Sequence, residues 1–175
     1  MAQIDRYSPE QRERWTAFIR SLNPHSDPRA ARLMDDFHTV GHQIYQLNES
    51  ALASADLSYA EFRVLMNLMF CEWAGECDGL NPSVISAHQG TSRNTISALI
   101  RNLEEKKLVA RQLDENDRRR FRIHLTDAGR GKVLAHSAQI GRLIDQLFGA
   151  LSDAEVETLS GQLRALDRRA QAIKE

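Results

Sequence analysis

One continuous stretch decides the fold of this chain: residues 90–129 read GTSRNTISALIRNLEEKKLVARQLDENDRRRFRIHLTDAG. Ser92 can cap a helix, because its hydroxyl can accept a hydrogen bond from a free amide of the first turn. Apolar residues then recur at steps of three and four, which indicates one buried helical face. They are Ile96, Leu99, Ile100 and Leu103. The opposite face combines short polar side chains with two long cations, and this mixture suits contacts to base edges and phosphates. The residues expected at DNA are Ser92, Arg93, Asn94, Thr95, Ser97 and Arg101.

A short β-hairpin is predicted directly after this helix. Residues 108–113 and 120–125 both have the composition of strands, and apolar and polar residues alternate along the second. A polar turn separates them, and arginine at such a tip can reach into a narrow minor groove, where the negative potential is strongest. We therefore expect DNA contacts from Arg118, Arg119 and Arg120. Asp114 and Asp117 are predicted to be structural, with Asp117 holding a wing arginine through a charge-assisted hydrogen bond.

The distribution of charge favours DNA binding over the alternative of a core helix followed by an ordinary surface hairpin. The whole chain carries a net charge of −1, which by itself does not indicate a nucleic-acid binder. Residues 93–122, however, contain nine Lys or Arg and five Asp or Glu, so this segment is net +4 while the remainder is net −5. A local concentration of positive charge is what attracts phosphates.

These motifs resemble those of the MarR family (multiple antibiotic resistance regulators). The family's recognition-helix start, Ser-Arg-x-Thr-hydrophobic-Ser, matches residues 92–97. Its wing turn, followed by Leu-Thr-x-x-Gly, matches Asp114, Asp117, Arg118, Arg119 and residues 125–129. Residues 57–65 are similar to the helix before the DNA-binding motif, and the likeness covers about residues 28–173.

Two positions depart from the family pattern. Members often carry arginine where this chain has Ala98, so base readout is expected to differ. They often carry glycine where this chain has Lys107, at the end of the recognition helix. A lysine must then adopt any left-handed cap itself, or the helix ends differently.

The resemblance implies a mainly α fold: a winged helix-turn-helix lobe with a small β-hairpin wing, plus N- and C-terminal helices that form a dimerisation lobe. The expected boundaries are 1–55 for the N-terminal helices, which contribute to dimerisation and to an effector cleft, 56–126 for the DNA-binding lobe and 127–175 for the C-terminal dimerisation helices. Capping signals support six helix starts. They are Ser8, Asp27, Ser58, Asn81, Thr126 and Ser152. The helix from Ser58 is expected to end near Phe70, with a loop over 71–79 and a very short strand at Leu80.

The last helix predicts a homodimer. Its apolar residues alternate at steps of three and four, which is the pattern of a helix pairing surface, although packing within one chain is the alternative. These residues are Val156, Leu159, Leu163, Leu166, Ala170 and Ile173. A two-fold dimer binds a pseudo-palindromic operator in double-stranded DNA, with half-sites about one helical turn apart.

The resemblance also implies a switch, in which a small aromatic or phenolic acid, or its coenzyme A thioester, relieves repression. The cleft that binds it would lie between the dimerisation helices and the DNA-binding lobe. Candidate lining residues, which could equally be ordinary core or surface, combine carboxylate partners with aromatic and sulfur side chains. They are His38, His42, Tyr45, Tyr59, Phe62, Arg63 and Met66.

Two other functional classes are alternatives, an enzyme and a protein adaptor. The chain has no Gly-rich phosphate loop, nucleophile elbow or His-Glu-x-x-His motif. His38 and His42 lie four residues apart, but without an evident third ligand a polar pocket or interface role is favoured, and no metal, cofactor or catalytic residue is expected. The absence of a signal peptide or an apolar span favours a cytoplasmic protein with no membrane partner. Cys71 and Cys77 are expected to be free thiols there, with a redox-responsive regulator as the alternative.

Overall fold

The computed structural model describes residues 8–25, 27–75, 78–113 and 121–174. The chain forms two compact units, residues 1–50 and 51–175. In chain order the helices and strands are α1 (Pro9–Leu22), α2 (Pro28–Leu52), a 3₁₀ turn (Ala53–Ala55), α3 (Tyr59–Ala74), α4 (Pro82–Gln89), α5 (Arg93–Glu105), β1 (Val109–Leu113), β2 (Phe121–Leu125), α6 (Asp127–Phe148) and α7 (Asp153–Lys174). The predicted mainly α fold with one β-hairpin is confirmed. Among the described residues, no helix is sufficiently long and apolar to span a bilayer.

The helix starts are set by side-chain caps. Ser58 accepts from the amide of Glu61 at 3.1 Å while the Glu61 carboxylate accepts from the amide of Ser58 at 2.8 Å, which completes the predicted capping box of α3. Asn81 caps α4 by accepting from two amides, and Thr126 caps α6 by accepting from the amide of Gly129. Ser8 caps α1 in the same way. Each cap satisfies amides that the helix itself leaves without a partner.

In the first unit, α1 is held to α2 by ion pairs. The Arg12 guanidinium donates to Asp35 at 2.7 Å and also to Asp36, and the hydrogen bond to Asp35 is the main cause that raises the pKa of Arg12. None of the α1 residues is buried in this chain, and its aromatic residues Trp15 and Phe18 are 39% and 50% exposed. Polar contacts rather than apolar burial therefore fix this pair of helices.

The second unit has one continuous hydrophobic core. The end of α2, the helices α3 to α6 and both strands contribute to it, and it forms the scaffold on which α5 and the hairpin are mounted. Its buried residues are Leu52, Ala55, Leu57, Phe62, Val64, Leu65, Leu68, Ile85, Ile96, Ile100, Leu103, Leu108, Val109, Ile123, Leu125 and Val133.

The chain leaves α5 through a left-handed turn at Lys107, whose φ is +59°. The amide of Lys107 donates to the carbonyl of Glu104, and the amide of Leu108 donates to the carbonyl of Leu103, both at 2.9 Å. This pair of bonds is the Schellman arrangement that usually ends in glycine. The lysine adopts the left-handed cap itself, which is the first of the two alternatives that the sequence left open, and β1 begins two residues later.

The hairpin is antiparallel, with Val109 opposite Leu125 and Leu113 opposite Phe121. Leu80 forms a one-residue third strand beside β2, because its amide donates to the carbonyl of Ile123 at 3.0 Å and its carbonyl accepts from the amide of Ile123 at 2.8 Å. The predicted short strand at Leu80 is thus confirmed. The tip of the wing, residues 114–120, lies outside the described residues, so the predictions for Asp114, Asp117, Arg118, Arg119 and Arg120 stay predictions.

The start of α6 is packed very closely against the start of β1. A Cβ added to Gly129 would lie 2.1 Å from the carbonyl oxygen of Leu108, so only glycine fits there. The amide of Thr126 donates to that same carbonyl at 3.2 Å, and the Thr126 hydroxyl donates to the carbonyl of Lys107 at 2.8 Å. The end of α5, the start of β1 and the start of α6 are therefore joined at one point.

Two boundaries differ from the sequence prediction. Helix α3 continues to Ala74, so Cys71 and its successors up to Ala74 are helical rather than part of a loop. The reason is that the buried face of α3 extends through Cys71, which is 6% exposed, and the helix ends only where Gly75 provides a left-handed cap at φ +67°. Helix α6, which the sequence predicts to run from Thr126 to about Ala150, ends at Phe148.

Replacing Lys107 with glycine should stabilise the protein by up to about 1 kcal/mol, because glycine adopts the left-handed conformation without a Cβ penalty. Glu105→Gly, two residues earlier and inside the right-handed helix, is the matched control and should destabilise by about 1 kcal/mol. Urea unfolding midpoints of the two variants test this. Equal destabilisation by both substitutions would contradict the claim that the left-handed conformation of Lys107 is unfavourable for a lysine.

Candidate DNA-binding surface

The recognition helix α5 is held by its apolar face. Ile96 and Leu103 have no exposed surface and Ile100 is 1% exposed, so all three are anchored in the core. This burial fixes the rotation of the helix about its own axis and leaves the polar face in solvent. The exposed residues include Ser92, Arg93, Asn94, Thr95, Ser97, Ala98, Arg101 and Asn102. The N-cap Ser92 and the five α5 residues predicted at DNA are thus all exposed, while the contact itself stays a prediction.

Some of these polar groups already have structural hydrogen bonds. The Ser92 hydroxyl accepts from the amide of Thr95 at 3.1 Å and lies 2.8 Å from the Thr95 hydroxyl. The Ser97 hydroxyl donates to the carbonyl of Arg93 at 2.9 Å. The Ser92 hydroxyl is therefore used to cap the helix. Arg93, Asn94 and Arg101 are the polar side chains that remain available for base readout and phosphate contacts.

A groove of about 630 Å³ separates the recognition helix from the base of the wing. Arg93, Ser97 and Arg101 line one side, and Arg111 and Phe121 line the other. Asn81, the N-cap of α4, and the first α4 residues Pro82 and Ser83 also line it. Within the described ranges, neither Arg93 nor Arg101 forms an ion pair with another residue, so their charge is available to a ligand.

Arg111 and the first residues of α4 are members of this surface that the sequence did not indicate. Arg111 lies on β1, and its guanidinium is 5.3 Å from the ring centroid of Phe121 on β2. The sequence did predict that two strands pair, and this pairing places Arg111 near the second strand of the wing. That Arg111 lines the groove beside α5 depends on how the wing packs, which the sequence does not show.

The end of the recognition helix is tied to the start of α3. The Lys106 ammonium donates to the carbonyl of Asp56 at 2.6 Å and lies 3.3 Å from the carboxylate of Glu61, a residue that is 4% exposed. Because Glu61 also completes the cap of α3, one buried carboxylate links two helices of the DNA-binding lobe. This contact orients α5 and leaves its exposed face unchanged.

The predicted effector residues form two helical rows. His38, His42 and Tyr45 follow one another at steps of four and three on α2, in the first unit. On α3, Phe62 is 2% exposed and part of the core, Tyr59 packs against that core, and Met66 is 42% exposed. Arg63 is half-buried and forms no ion pair with a residue in the described part of the chain. In the α3 row, Met66 is therefore exposed, Tyr59 and Arg63 are partly exposed, and Phe62 is buried.

Among the described residues there is no group of three or more histidine, cysteine or acidic side chains that could hold a metal ion. Cys71 is disulfide-bonded, so the expectation of a free thiol at this position is wrong. Cys71 is buried on the last full turn of α3, close to the left-handed turn at Gly75, and this position could not be read from the six-residue cysteine spacing. Cys77 lies outside the described residues.

A helix-turn-helix pair, α4 and α5, followed by a two-stranded wing defines a winged helix-turn-helix DNA-binding unit. Comparisons with known proteins agree with this class. Residues 46–135 match the family described as transcriptional regulator SarA/Rot. A putative transcriptional regulatory protein for the hcr operon of Thauera aromatica is 39% identical over 92 residues, which are 52% of this chain and 55% of that relative. The chain thus matches little more than half the length of this relative.

Two solved structures are similar over most of their length. The Staphylococcus aureus MepR–DNA complex has a TM-score of 0.70 at 27% identity, covering 78% of this chain and 95% of MepR. CouR of Rhodococcus jostii RHA1, bound to p-coumaroyl-CoA, has a TM-score of 0.66 at 26% identity, covering 77% of this chain and 90% of CouR. The chain belongs to the MarR/SarA family of winged helix-turn-helix transcription regulators. Members of this family bind DNA and regulate transcription, and the winged helix-turn-helix unit of this chain is of that kind.

Two substitutions on α5 should separate base readout from phosphate contact. Asn94→Ala should weaken operator binding by about 1–3 kcal/mol and leave binding to random duplex unchanged, because an amide side chain can read a base edge. Arg101→Gln should weaken both duplexes alike and flatten the salt dependence by about 0.9 per subunit. Fluorescence anisotropy at several salt concentrations measures both quantities. An equal loss on random duplex for Asn94→Ala would contradict the base contact.

Proposed function

We propose that the protein is a homodimeric, sequence-specific repressor whose operator is a pseudo-palindrome and whose DNA binding is relieved by a small aromatic acid or its coenzyme A thioester. The observation that carries the DNA-binding part is the fixed α5, which presents a polar, cationic face beside an arginine-lined groove. Arg118, Arg119 and Arg120 are proposed to extend this surface into the minor groove. Similarity to MepR, which was solved with DNA, supports it.

The direct test is binding to the DNA upstream of the protein's own gene, compared with random duplex of the same length. Specific regulation predicts an affinity difference of about 10³-fold or more, together with a steep fall in affinity as salt rises. Equal affinity for both duplexes would mean that the protein binds DNA without sequence specificity, and the proposal of a specific regulator would be wrong. A folded protein that binds neither at low salt would favour the adaptor alternative.

The homodimer is proposed because the apolar residues of the C-terminal helices are exposed within one chain. No α7 residue is buried within this chain, although the helix carries a regular apolar seam. Along that seam, Leu159 is 37% exposed, Leu163 is 42% exposed and Leu166 is 47% exposed. On α6, Leu134 is 62% exposed. Apolar rows of this length in solvent are typical of an association surface, and a second copy related by two-fold symmetry would cover them.

Leu163→Asp should dissociate the dimer, because it places an unpaired charge in the middle of the seam and costs several kcal/mol of association. Ala165→Asp, on the other side of α7, introduces the same charge outside the seam and should leave the dimer intact. Sedimentation velocity at low micromolar concentration reports the mass of each variant. A Leu163→Asp protein that remains dimeric and binds operator normally would remove this seam from the interface.

The proposed effector class is supported by one relative. CouR was solved with p-coumaroyl-CoA, an aromatic acyl thioester, and its similarity to this chain extends over 77% of the residues. Here Arg63 offers a cation for a carboxylate or phosphate, and Met66 offers an adaptable apolar contact. The α2 row of His38, His42 and Tyr45, with Tyr59 of α3, completes the proposed set; Phe62 would act from the core by shaping the wall.

Relief of repression requires that effector and operator oppose each other. If the effector prefers a dimer geometry that does not fit successive major grooves, operator DNA must weaken effector binding by the same factor by which effector weakens DNA binding. A thermal-shift screen of aromatic acids and their thioesters identifies the ligand. Calorimetry with and without saturating operator then measures the factor. Identical effector affinities in the two titrations would contradict the proposed switch.

A second candidate is a redox-responsive regulator, and the disulfide at Cys71 favours it. Cys71 lies on α3, which packs against α5 in one core, so a change of its bonding could alter the recognition helix. Operator binding of the wild type should then change when dithiothreitol is added, and Cys71→Ala should be insensitive to the reductant. Wild-type affinity that is the same with and without dithiothreitol would exclude this candidate.

A further inference from the structure

The groove between α5 and the wing base has the size and charge of an anion site. It combines a volume of about 630 Å³ with three guanidinium groups, those of Arg93, Arg101 and Arg111. Ser97 and Arg101 belong both to the groove and to the exposed face of α5, so the groove opens on the side that DNA approaches. Arginine presents planar, forked donors that match phosphate oxygens.

Arg111 is poised on one wall of this groove. Its guanidinium stacks against Phe121 at 5.3 Å, which restricts the side chain to the groove wall. One terminal nitrogen donates to the carboxylate of Glu104 at 2.8 Å, and this is its one hydrogen bond to a residue within the described ranges. The remaining N–H groups of the five-donor guanidinium are open to a ligand.

Glu104 is an unusual neighbour for a DNA-facing groove, because a carboxylate repels the phosphate backbone. Its ion pair with Arg111 neutralises it in the free protein. The two side chains are 29% and 41% exposed, and an ion pair that water reaches to this extent is weak. A phosphate that enters the groove can therefore compete with Glu104 for the same guanidinium.

We propose that this groove binds one phosphate of the DNA backbone in each subunit, that Arg111 is its main ligand, and that Glu104 competes with the phosphate and so restrains DNA binding. The inference rests on DNA binding by the winged helix-turn-helix unit and adds a contact outside the set indicated by the sequence. The contact is to the backbone, so it is the same for operator and random duplex.

The first test is the salt dependence of Arg111→Gln on a random duplex and on the upstream DNA. The slope of log affinity against log salt should fall by about 0.9 per subunit on both duplexes, because one phosphate contact is lost. Arg111→Lys keeps the charge and should retain most of the slope. Arg14→Gln, on the exposed face of α1, controls for net charge and should leave the slope unchanged. A wild-type slope in a folded Arg111→Gln protein, judged by its urea midpoint, would overturn the proposal.

The second test compares the effect on DNA affinity of removing the charge of Glu104 with that of removing the charge of Glu105. Glu104→Gln should tighten binding to both duplexes by about two- to fivefold, the range expected for releasing one exposed ion pair. Glu105→Gln removes the same charge from the next residue, which is exposed and is not the ion-pair partner of Arg111 among the described residues, and should change affinity less. Competition further requires that the gain from Glu104→Gln shrinks when Arg111→Gln is also present. A gain that is equal or larger in the double variant would mean simple repulsion and would overturn the competition.

The outcomes separate this inference from the proposed function. Wild-type protein that fails to distinguish upstream DNA from random duplex would refute specific regulation, while the groove is still tested on the random duplex. Specific binding with an unaltered slope in Arg111→Gln would refute the groove alone. Absence of binding to any duplex at low salt would refute both.

Discussion

The burial of one side of α5 is the constraint on which the DNA-binding lobe depends. Three branched side chains, Ile96, Ile100 and Leu103, have at most 1% of their surface exposed. Each contributes about 1.5–3 kcal/mol relative to an exposed position. Because side chains on a helix are spaced by 100°, burying this face determines which residues face solvent. The outward residues therefore contribute little to stability, and exposed positions such as Asn94 and Ala98 can change without loss of the fold.

Electrostatics in this lobe serve two separate purposes. The buried carboxylate of Glu61 and the Lys106 ammonium lock the end of α5 to the start of α3, away from the exposed face. Arg93 and Arg101, in contrast, remain unpaired within the described residues and contribute to the local positive charge. A chain with a net charge of −1 can thus present a cationic surface without being basic as a whole.

The sequence was informative wherever local chemistry decides structure. The capping box at Ser58, the cap at Thr126 and the short strand at Leu80 were predicted and are present. For Lys107 the sequence left two alternatives, and the structure shows the left-handed one. The wall formed by Arg111 could not be predicted, because it depends on how the wing packs against α5. The length of α3 was underestimated, since a buried Cys71 and the glycine cap at Gly75 outweigh the polar composition of that segment. The proposed effector residues were expected from the family resemblance, and Phe62, which is 2% exposed, shows that a position on the right helix can belong to the core instead of a pocket wall.

The close joint at Gly129 has a mechanical consequence. A hinge needs residues whose backbone can rotate freely, yet here Thr126 and Gly129 are fixed directly on the carbonyls of Lys107 and Leu108. Helix α6 has 22 residues and is therefore about 33 Å long. A tilt of about five degrees about this joint would displace its far end by about 3 Å over that length. A helix joined in this way would act as a stiff lever: a displacement of a few ångströms at its far end would become a small rotation of the wing and of α5.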